Sequence, residues 1–494
     1  MSPLTRGVLS DLGGLLAVPG GVALTALVVS AVAGEADGAA GLAVTAAASL
    51  VLGLGLRQLC WDADADDLPA PLGTVTVALG WLGCAAFAAL PFLLWPVFGG
   101  DSPTALALAE PANAYFEGMS ALTSTGLSVA PDVTALPHAL QWWRSALEWV
   151  GGMGVVLLAL TLFDSRAKRT SLVTAEINVA EMAEDDDHAV SHLWIVYGGL
   201  TLASVLAFWA LGMPLWQALN HGMTGVATGG MTVNEGGFSA YGPAIRVAGT
   251  VVMIAGGLDF AVHAKVFVQR DWRTLGRDAQ TLAYATALVV GGLLLLGTTA
   301  LGSGASAVDA AFMWASALAT CGFSSVDLPS WSPAALVLLI AAMFIGAAAG
   351  STGGGLKIRR VWLLATNVLW QVRGADDQRE RQYLSAGSAL EPDEAFELLR
   401  RASALAFAFT ASLLAGTFAL LLLLPDAAPL DVLFEAASAL GAVGLSSGVT
   451  SPDLGAAAKA VLVALMWLGR LEVMAALMIG AAALDRFRPG SDGA

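Results

Sequence analysis

The sequence predicts an all-α polytopic membrane protein, and three observations carry that prediction. The 494 residues are 57% hydrophobic and 13% charged, and the mean hydropathy is +0.72, whereas soluble domains are far more polar. Apolar stretches long enough to cross a bilayer recur along the chain. Four related glycine-bearing motifs lie between these stretches, which indicates an internally repeated architecture.

The candidate spans alternate with connections of different charge. They are roughly 9–33, 39–57, 71–98, 138–163, 190–212, 243–268, 281–301, 333–371, 401–424 and 455–484. Lysine and arginine are absent from the connections 99–137, 213–242, 302–332 and 425–454, and they cluster in the alternate connections. The positive-inside rule therefore places these four connections outside and both termini in the cytoplasm.

The four basic-free connections carry acidic residues, for which two interpretations stay open. One is ordinary solvated loops, and the other is a vestibule that raises the local concentration of cations. The acids are Asp101, Glu110, Glu117, Asp132, Glu235, Asp309, Asp327, Asp426, Asp431, Glu435 and Asp453.

Cysteine and histidine usage argues against disulfide and metal chemistry. Cys60, Cys84 and Cys321 show no CxxC spacing, and the five histidines are scattered, so neither a disulfide framework nor a zinc site is expected.

The four outer connections share a motif. They read FEGMSALTSTGLS, NHGMTGVATGGMT, MWASALATCGFS and FEAASALGAVGLSS, and a hydroxyl residue precedes a glycine by six positions in each. The glycines are Gly126, Gly230, Gly322 and Gly444. The motif predicts four pseudo-fourfold repeats of span, pore helix and span, at 70–164, 189–269, 279–371 and 400–485, after two additional N-terminal spans at 1–60.

The glycine turns predict a path for a cation. Each outer helix is too short to cross the bilayer, and non-helical backbone at membrane depth persists only where protein buries it or where it lines a watery path. Glycine permits backbone angles that turn carbonyl oxygens inward, and ordered carbonyls can replace an ion's hydration shell, as in potassium-channel filters. Small-residue helix packing is the alternative for any single turn; four equally phased copies favour a pore.

A second unusual stretch, AAAGSTGGGLK at 347–357, interrupts the second span of the third repeat. A phosphate loop is excluded because Leu356 stands where the motif needs lysine and no strand precedes it. A flexible break remains an alternative. Because backbone at this depth needs partners, we expect the stretch to lie in the conduction path below the filter.

Arg470 lies deep in the last predicted span, in MWLGRLEVM. An unpaired arginine at mid-membrane costs roughly 2.5–3.5 kcal/mol, so the side chain should face the interior and find acceptors. A purely structural pairing with Glu472 or another acid is one interpretation, although residues two apart do not face each other on a helix.

These motifs together resemble the Trk/Ktr/HKT superfamily of potassium transporters, most closely the bacterial Trk-type membrane subunit. The resemblance rests on TSTGLS (123–128), GVATGG (225–230), ATCGFS (319–324), GAVGLS (441–446), AGSTGGGLKIRR (349–360) and GRLE (469–472). It covers about residues 70–484, and two extra N-terminal spans also occur in Trk-type members.

The resemblance implies a potassium filter and a gate. The implied filter residues are Ser124, Thr125, Gly126, Thr228, Gly229, Gly230, Thr320, Cys321, Gly322, Ala442, Val443 and Gly444. The implied gate loop is Gly350, Ser351, Thr352, Gly353, Gly354, Gly355 and Lys357, with Arg470 as an electrostatic barrier in the pore. Glycine in all four turns favours potassium over sodium. The fourth turn, GAVG, departs from the pattern because no hydroxyl side chain precedes its glycine.

The resemblance also implies partners and a location. It implies a homodimer in the inner membrane and a cytosolic ring of nucleotide-binding regulatory subunits. This chain itself carries no nucleotide site in its motifs, and nothing in it suggests nucleic-acid binding. Potassium is the expected transported ion.

Three rival functions stay open. A sodium-permeable or sodium-coupled transporter of the same fold is the nearest. A polytopic membrane enzyme would need a nucleophile beside a base, and only His221 lies close to the repeated hydroxyl residues, in one repeat. A non-conducting assembly subunit is the third.

Overall fold

The computed structural model describes residues 3–60, 70–154, 189–302, 305–373, 392–471 and 473. Within them the chain is helical and contains no β-strand. The α-helices are α1 Pro3–Ala33, α2 Ala39–Leu59, α3 Ala70–Leu94, α4 Pro103–Leu108, α5 Pro111–Leu122, α6 His138–Met153, α7 Ala189–Ala210, α8 Leu215–Val226, α9 Pro243–Gly256, α10 Phe260–Phe267, α11 Ala279–Gly302, α12 Ala307–Leu318, α13 Pro333–Ile345, α14 Ile358–Arg373, α15 Pro392–Leu423, α16 Pro429–Leu440 and α17 Ala456–Arg470.

Six described helices are long and apolar enough to cross a membrane, and a bent pair raises the number to seven. The six are Leu4–Ala33, Ala39–Leu59, Leu72–Phe98, Ser191–Ala210, Ala279–Ala300 and Phe396–Leu423. The predicted spans 138–163 and 455–484 begin as α6 and α17 and then continue outside the described residues. The basic connection around Arg166 and the polar segment 374–391 also lie outside them.

The predicted span 243–268 is not one straight helix, because it bends by 102° between α9 and α10. The carboxylate of Asp259 caps the new helix by accepting a hydrogen bond from the Ala261 N–H at 2.8 Å. The glycine-rich stretch also occupies the break: Ala348 N–H donates to the Gly257 carbonyl and Phe260 N–H donates to the Gly350 carbonyl, both at 3.0 Å. Backbone groups freed by the bend thus find partners inside the protein.

The described residues divide into two compact units. The first is drawn from Met1–Thr123, Ser128–Val190 and Ser451–Ala494. In it α1 packs against α2, α3 and α6, while α5 packs against α3, α6 and α17. Small residues bring α1 and α2 close together, since a Cβ on Gly53 would lie 2.7 Å from the Ala17 nitrogen.

The second unit is drawn from Ser124–Leu127 and Ser191–Thr450. It contains α7 to α16 and all four of the predicted glycine turns. Its short helices pack on the longer ones: α8 on α9, α12 on α9, α11 and α13, and α16 on α13 and α15.

Candidate functional site

Four half-helices of equal length precede the four glycine turns. They are α5, α8, α12 and α16, and each has 12 residues. Proline at the first position starts α5 and α16, where its missing N–H costs nothing. Ser306 caps α12 by accepting from the Asp309 N–H at 3.2 Å.

Two positions after the last residue of each half-helix, a residue other than glycine adopts the left-handed region. These residues are Ser124, Thr228, Thr320 and Ala442, with φ between 50° and 54°. In α8, α12 and α16 the ending is a Schellman motif. The N–H groups of Gly229, Cys321 and Val443 donate to the carbonyls of Thr224, Ser316 and Ser438 at 2.9, 2.8 and 2.9 Å.

The four predicted filter glycines also have positive φ and lie beside one another. Their φ values are 85° at Gly126, 80° at Gly230, 87° at Gly322 and 96° at Gly444. A Cβ on Gly230 would overlap the Cys321 carbonyl oxygen and lie 2.9 Å from the Gly322 Cα. A Cβ on Gly322 would overlap the Val443 carbonyl oxygen in the same way, and a Cβ on Gly444 would overlap that of Thr125. Each of these three glycines therefore packs against the carbonyl that precedes the next glycine.

In the second, third and fourth repeats the motif hydroxyl six residues before the glycine forms a hydrogen bond to the turn. Thr224 donates to the Met231 carbonyl at 3.0 Å, and Ser316 donates to the Phe323 carbonyl at 2.7 Å. Ser438 instead accepts from the Gly444 N–H at 3.0 Å. The structure thus brings together the predicted filter residues of this unit on turns whose backbone is anchored to the half-helices.

The predicted gate residues contact the ends of the half-helices in the second, third and fourth repeats. Gly354 N–H donates to the Thr320 hydroxyl at 2.6 Å. Thr352 donates to the Val226 carbonyl at 2.9 Å and to the Gly256 carbonyl at 3.0 Å. A Cβ on Gly354 would overlap the Gly441 carbonyl oxygen. The loop therefore contacts the C-terminal ends of α8, α12 and α16, where the half-helix dipoles are negative.

The loop, residues 346–357, is closed on itself by short-range bonds. Ser351 donates to the Ala348 carbonyl at 2.6 Å and accepts from the Gly353 N–H at 3.3 Å. Gly355 packs closely on Gly346, because a Cβ added to Gly355 would lie 2.5 Å from the Gly346 Cα. Lys357 is 2% exposed and has a φ of 76°, and its ammonium group donates to the Gly353 carbonyl. An ammonium inside the loop thus meets carbonyls that would otherwise face apolar surroundings.

Arg470 lies in the first unit and contacts the end of α6. Its guanidinium donates to the carbonyl of Gly151 and, at 3.0 Å, to that of Gly152. The same group lies 5.4 Å from the centroid of the Trp81 ring. These carbonyls are at a helix C-terminus, where a cation is favourable. Glu472 lies outside the described residues, and the barrier role stays a prediction.

The acidic residues of these connections differ in burial in a way that the sequence does not reveal. Asp431 is half-buried, and the exposed ones are Asp101, Glu110, Asp132, Glu235, Asp327, Asp426 and Asp453. Glu117 and Glu435 are fully buried, so they are neither solvated loop residues nor part of an exposed vestibule that attracts cations. Glu117 forms an ion pair with Arg144 at 2.8 Å, with both side chains buried.

Asp309, near the start of α12, is also held by specific partners. It pairs with Arg246 at 2.8 Å and accepts from the Ser325 hydroxyl at 2.9 Å. Burial raises the pKa of Asp309, but hydrogen bonds from Ser306 and Ser325 and the charge of Arg246 outweigh burial and leave that pKa below its usual value.

The position nine residues before each filter glycine has a shared role that the sequence does not reveal. The residues at this position are Glu117, His221, Met313 and Glu435, and all four are buried. Their chemistry differs from repeat to repeat, so no shared letter marks the position. Alignment of the four motifs on the glycine would have brought them into one column.

Comparison with known proteins identifies the family of the chain. The family model described as TrkH, cation transport protein, matches residues 103–302 and 280–486. Trk system potassium uptake protein TrkH of Escherichia coli K12 is 27% identical over 483 residues, covering 94% of this chain and 95% of that protein. TrkH of Vibrio parahaemolyticus is 29% identical over 444 residues, covering 85% and 88%. An uncharacterized cation transporter of Methanocaldococcus jannaschii is 27% identical over 412 residues, covering 82% and 81%.

A solved structure shows the same fold. The crystal structure of the potassium transporter TrkH from Vibrio parahaemolyticus superposes with a TM-score of 0.81 at 23% identity, covering 96% of this chain and 98% of that one. This match confirms the prediction of an all-α polytopic membrane fold. From the family match and the fold together, the chain belongs to the TrkH family of cation transport proteins.

Proposed function

We propose that this chain is a potassium-uptake protein whose four glycine turns form a selectivity filter and whose loop 346–357 is the gate. The observation that carries the proposal is the consecutive packing of Gly230, Gly322 and Gly444 on the carbonyls of Cys321, Val443 and Thr125. The names of the relatives from Escherichia coli and Vibrio parahaemolyticus, potassium uptake proteins, support the choice of ion.

The chemistry of the turns suits a monovalent cation stripped of water. The Born cost of taking an ion into a low-dielectric medium is on the order of 20 kcal/mol, and ordered main-chain carbonyls can offset it. In this proposal the ion meets carbonyls of residues 124–126, 228–230, 320–322 and 442–444. Because main-chain oxygens coordinate, Ala442 and Val443 serve as well as hydroxyl residues, which accounts for the departure of the fourth turn.

The proposed gate acts on the same turns. The loop bonds to Thr320 and to the carbonyl of Val226, so it lies against the ends of the half-helices that carry the filter. In the proposal this conformation is closed, and the loop withdraws when the protein conducts. The exposed acids of the basic-free connections raise the cation concentration at the outer side.

The assembly proposed is a homodimer in the inner membrane, each subunit with its own pore and both termini in the cytoplasm. The repeats run over 70–164, 189–269, 279–371 and 400–485, after two N-terminal spans at 1–60. A cytosolic ring of nucleotide-binding subunits regulates the gate. Family membership excludes the membrane-enzyme alternative.

Growth of a potassium-uptake-deficient bacterium on limiting potassium tests the proposal. Expression of the chain together with a supplied regulator should restore growth. Failure to restore growth despite membrane insertion would overturn the proposal in favour of a non-conducting subunit.

The sodium alternative needs a separate test. Reconstituted wild-type protein should pass potassium or rubidium in preference to sodium, and Gly126→Ser should lower that ratio. Equal permeation of sodium by the wild-type protein would favour the alternative.

A further inference from the structure

In all four repeats one side chain ties the half-helix to the chain that leaves the filter. It belongs to the residue nine positions before the filter glycine, and it accepts a hydrogen bond from the N–H three positions after that glycine. We name these side chains the tether residues. The bonds run from Val129 to Glu117 at 2.9 Å, from Val233 to His221 at 3.3 Å, from Ser325 to Met313 at 3.4 Å and from Ser447 to Glu435 at 2.9 Å.

A second bond reinforces the tether in the first and fourth repeats. The serine two positions after the glycine donates its hydroxyl proton to the same side chain: Ser128 donates to Glu117 at 2.9 Å and Ser446 to Glu435 at 2.5 Å. In the third repeat the Ser324 hydroxyl lies 3.6 Å from the Met313 sulfur and donates to the Val326 carbonyl at 2.7 Å.

The tether residues are acceptors held in very different electrostatic surroundings. Arg144 compensates the charge of Glu117. Glu435 accepts instead from neutral donors, including the Val449 N–H at 3.3 Å and the Thr450 hydroxyl at 2.7 Å. His221 and Met313 carry no charge in these roles, because an imidazole nitrogen must be unprotonated to accept and a thioether is neutral.

The bonds have a mechanical consequence. At its inner end each filter segment follows the C-terminus of a half-helix, and in repeats two to four Schellman bonds fix that end. The outer end belongs to no helix or sheet. The tether is the side-chain contact that recurs at this outer end in all four repeats. It therefore limits how far the carbonyl groups of the filter segment can move outward.

We propose that Glu117, His221, Met313 and Glu435 are positioning residues for ion selectivity. The inference rests on the proposed potassium filter and goes beyond it, because it assigns the rigidity of the outer half of the filter to four buried side chains of three chemical types. Carboxylates accept more strongly than a thioether, so the third repeat has the weakest tether, and leucine can remove its acceptor at nearly unchanged volume.

The test compares Met313→Leu with Met313→Gln in the full-length protein. Leucine keeps the volume and apolar character of methionine but cannot accept a hydrogen bond. Glutamine has a similar length and offers a carbonyl oxygen. His221→Leu and His221→Gln form the same pair in the second repeat. Met253→Leu is the control, because Met253 is buried in the same unit and is not a tether residue.

Two measurements separate the tether from the filter. The first is the ratio of rubidium to sodium flux in proteoliposomes. The second is amide hydrogen exchange of a peptide covering 323–328, which needs no transport. We expect Met313→Leu to speed exchange by about twofold, the low end of what one net hydrogen bond is worth because sulfur is a weak acceptor, and to lower the flux ratio. Met313→Gln should restore both, and Met253→Leu should change neither.

Unchanged exchange and an unchanged flux ratio in Met313→Leu and His221→Leu would overturn the tether proposal while leaving the proposed function standing. A wild-type protein that passes no potassium or rubidium would overturn the proposed function instead. In that event faster exchange in Met313→Leu would still support the tether, and unchanged exchange would reject it.

Discussion

The residues two positions after the half-helices adopt a backbone conformation that most side chains avoid. Left-handed backbone costs of order 1–3 kcal/mol at a residue other than glycine, and Ser124, Thr228, Thr320 and Ala442 all adopt it. In the second and third repeats the side chain has a partner in the loop: Thr228 lies 3.2 Å from the Thr352 hydroxyl, and Thr320 accepts from Gly354. The strain is therefore coupled to contacts that glycine could not make.

The filter glycines cannot be replaced without moving a carbonyl. Gly322→Ser would place a Cβ over the Val443 carbonyl oxygen at a φ of 87°. Because that oxygen is one of the proposed ligands, we expect the ratio of rubidium to sodium flux to fall about tenfold, which corresponds to about 1.4 kcal/mol of discrimination. Gly297→Ser is the matched control, since nothing lies within 4 Å of a Cβ there. A variant that kept the wild-type ratio would count against main-chain coordination at this turn.

The buried ion pair of the first repeat predicts a stability effect. Arg144→Met would leave the Glu117 carboxylate buried without its cation, and breaking such a pair costs roughly 3–5 kcal/mol. Thermal unfolding in detergent should show a lowered transition temperature. The exposed pair of Arg401 with Glu397 supplies the control, because Arg401→Met should leave the transition unchanged. Equal transitions for both variants would contradict the assigned role of Arg144.

At the scale of elements, the glycine-rich loop and the bend between α9 and α10 form one arrangement. The loop supplies the partners that the bend requires, and the bend opens the space in which the loop lies. Movement of the loop would leave the Gly257 carbonyl and the Phe260 N–H without these partners. The two elements should therefore move together.

The bond from Gly354 to Thr320 predicts a gating effect. Thr320→Val keeps the shape of the side chain but removes the acceptor, which weakens the hold of the loop on α12 by the worth of one hydrogen bond, about 0.5–1.5 kcal/mol. Rubidium flux without a regulator should rise by about two- to tenfold. Thr286→Val, which removes an ordinary hydroxyl bond to the Leu282 carbonyl on exposed α11, should not change it. A lower flux in Thr320→Val, with the ion ratio intact, would speak against a closed loop in this conformation.

Lys357 offers an independent test of the same element. Lys357→Met removes the ammonium group that bonds the Gly353 carbonyl and keeps most of the buried stem. We expect higher flux in the absence of a regulator because the loop loses an internal brace. Arg373→Met, an exposed change at the end of α14, serves as the comparison. Wild-type flux in Lys357→Met would assign the lysine to another role.

Helix content and the position of the turns were predictable from the sequence, and the partners of the turns were not. Hydropathy and the glycine motif locate α5, α8, α12 and α16 because each half-helix ends at the same motif position. The bend near Asp259 was missed, since its cause is a loop almost a hundred residues away in the chain. The burial of Glu117 and Glu435 was missed for the same reason. A carboxylate in an outer connection is expected to be solvated unless its hydroxyl, N–H and guanidinium partners are known, and the fold supplies those partners.

At the scale of the whole molecule, the distribution of basic residues predicts which side of the membrane each connection faces. Ser239 and Gly276 are both exposed, the first in a basic-free connection and the second between Arg273 and Arg277. The native cysteines Cys60, Cys84 and Cys321 are buried, so a thiol reagent should label the wild-type protein only weakly. A membrane-impermeant thiol reagent added outside intact cells should label Ser239→Cys and not Gly276→Cys. The reverse pattern would invert the topology.

We propose that the four glycine turns bind a dehydrated potassium ion through main-chain oxygens, and anomalous diffraction from crystals grown with rubidium can detect that ion. We expect an anomalous peak within coordination distance of the carbonyl oxygens of Thr125, Gly229, Cys321 and Val443. A transport-competent protein with no rubidium peak at these oxygens would show that the turns do not bind the ion.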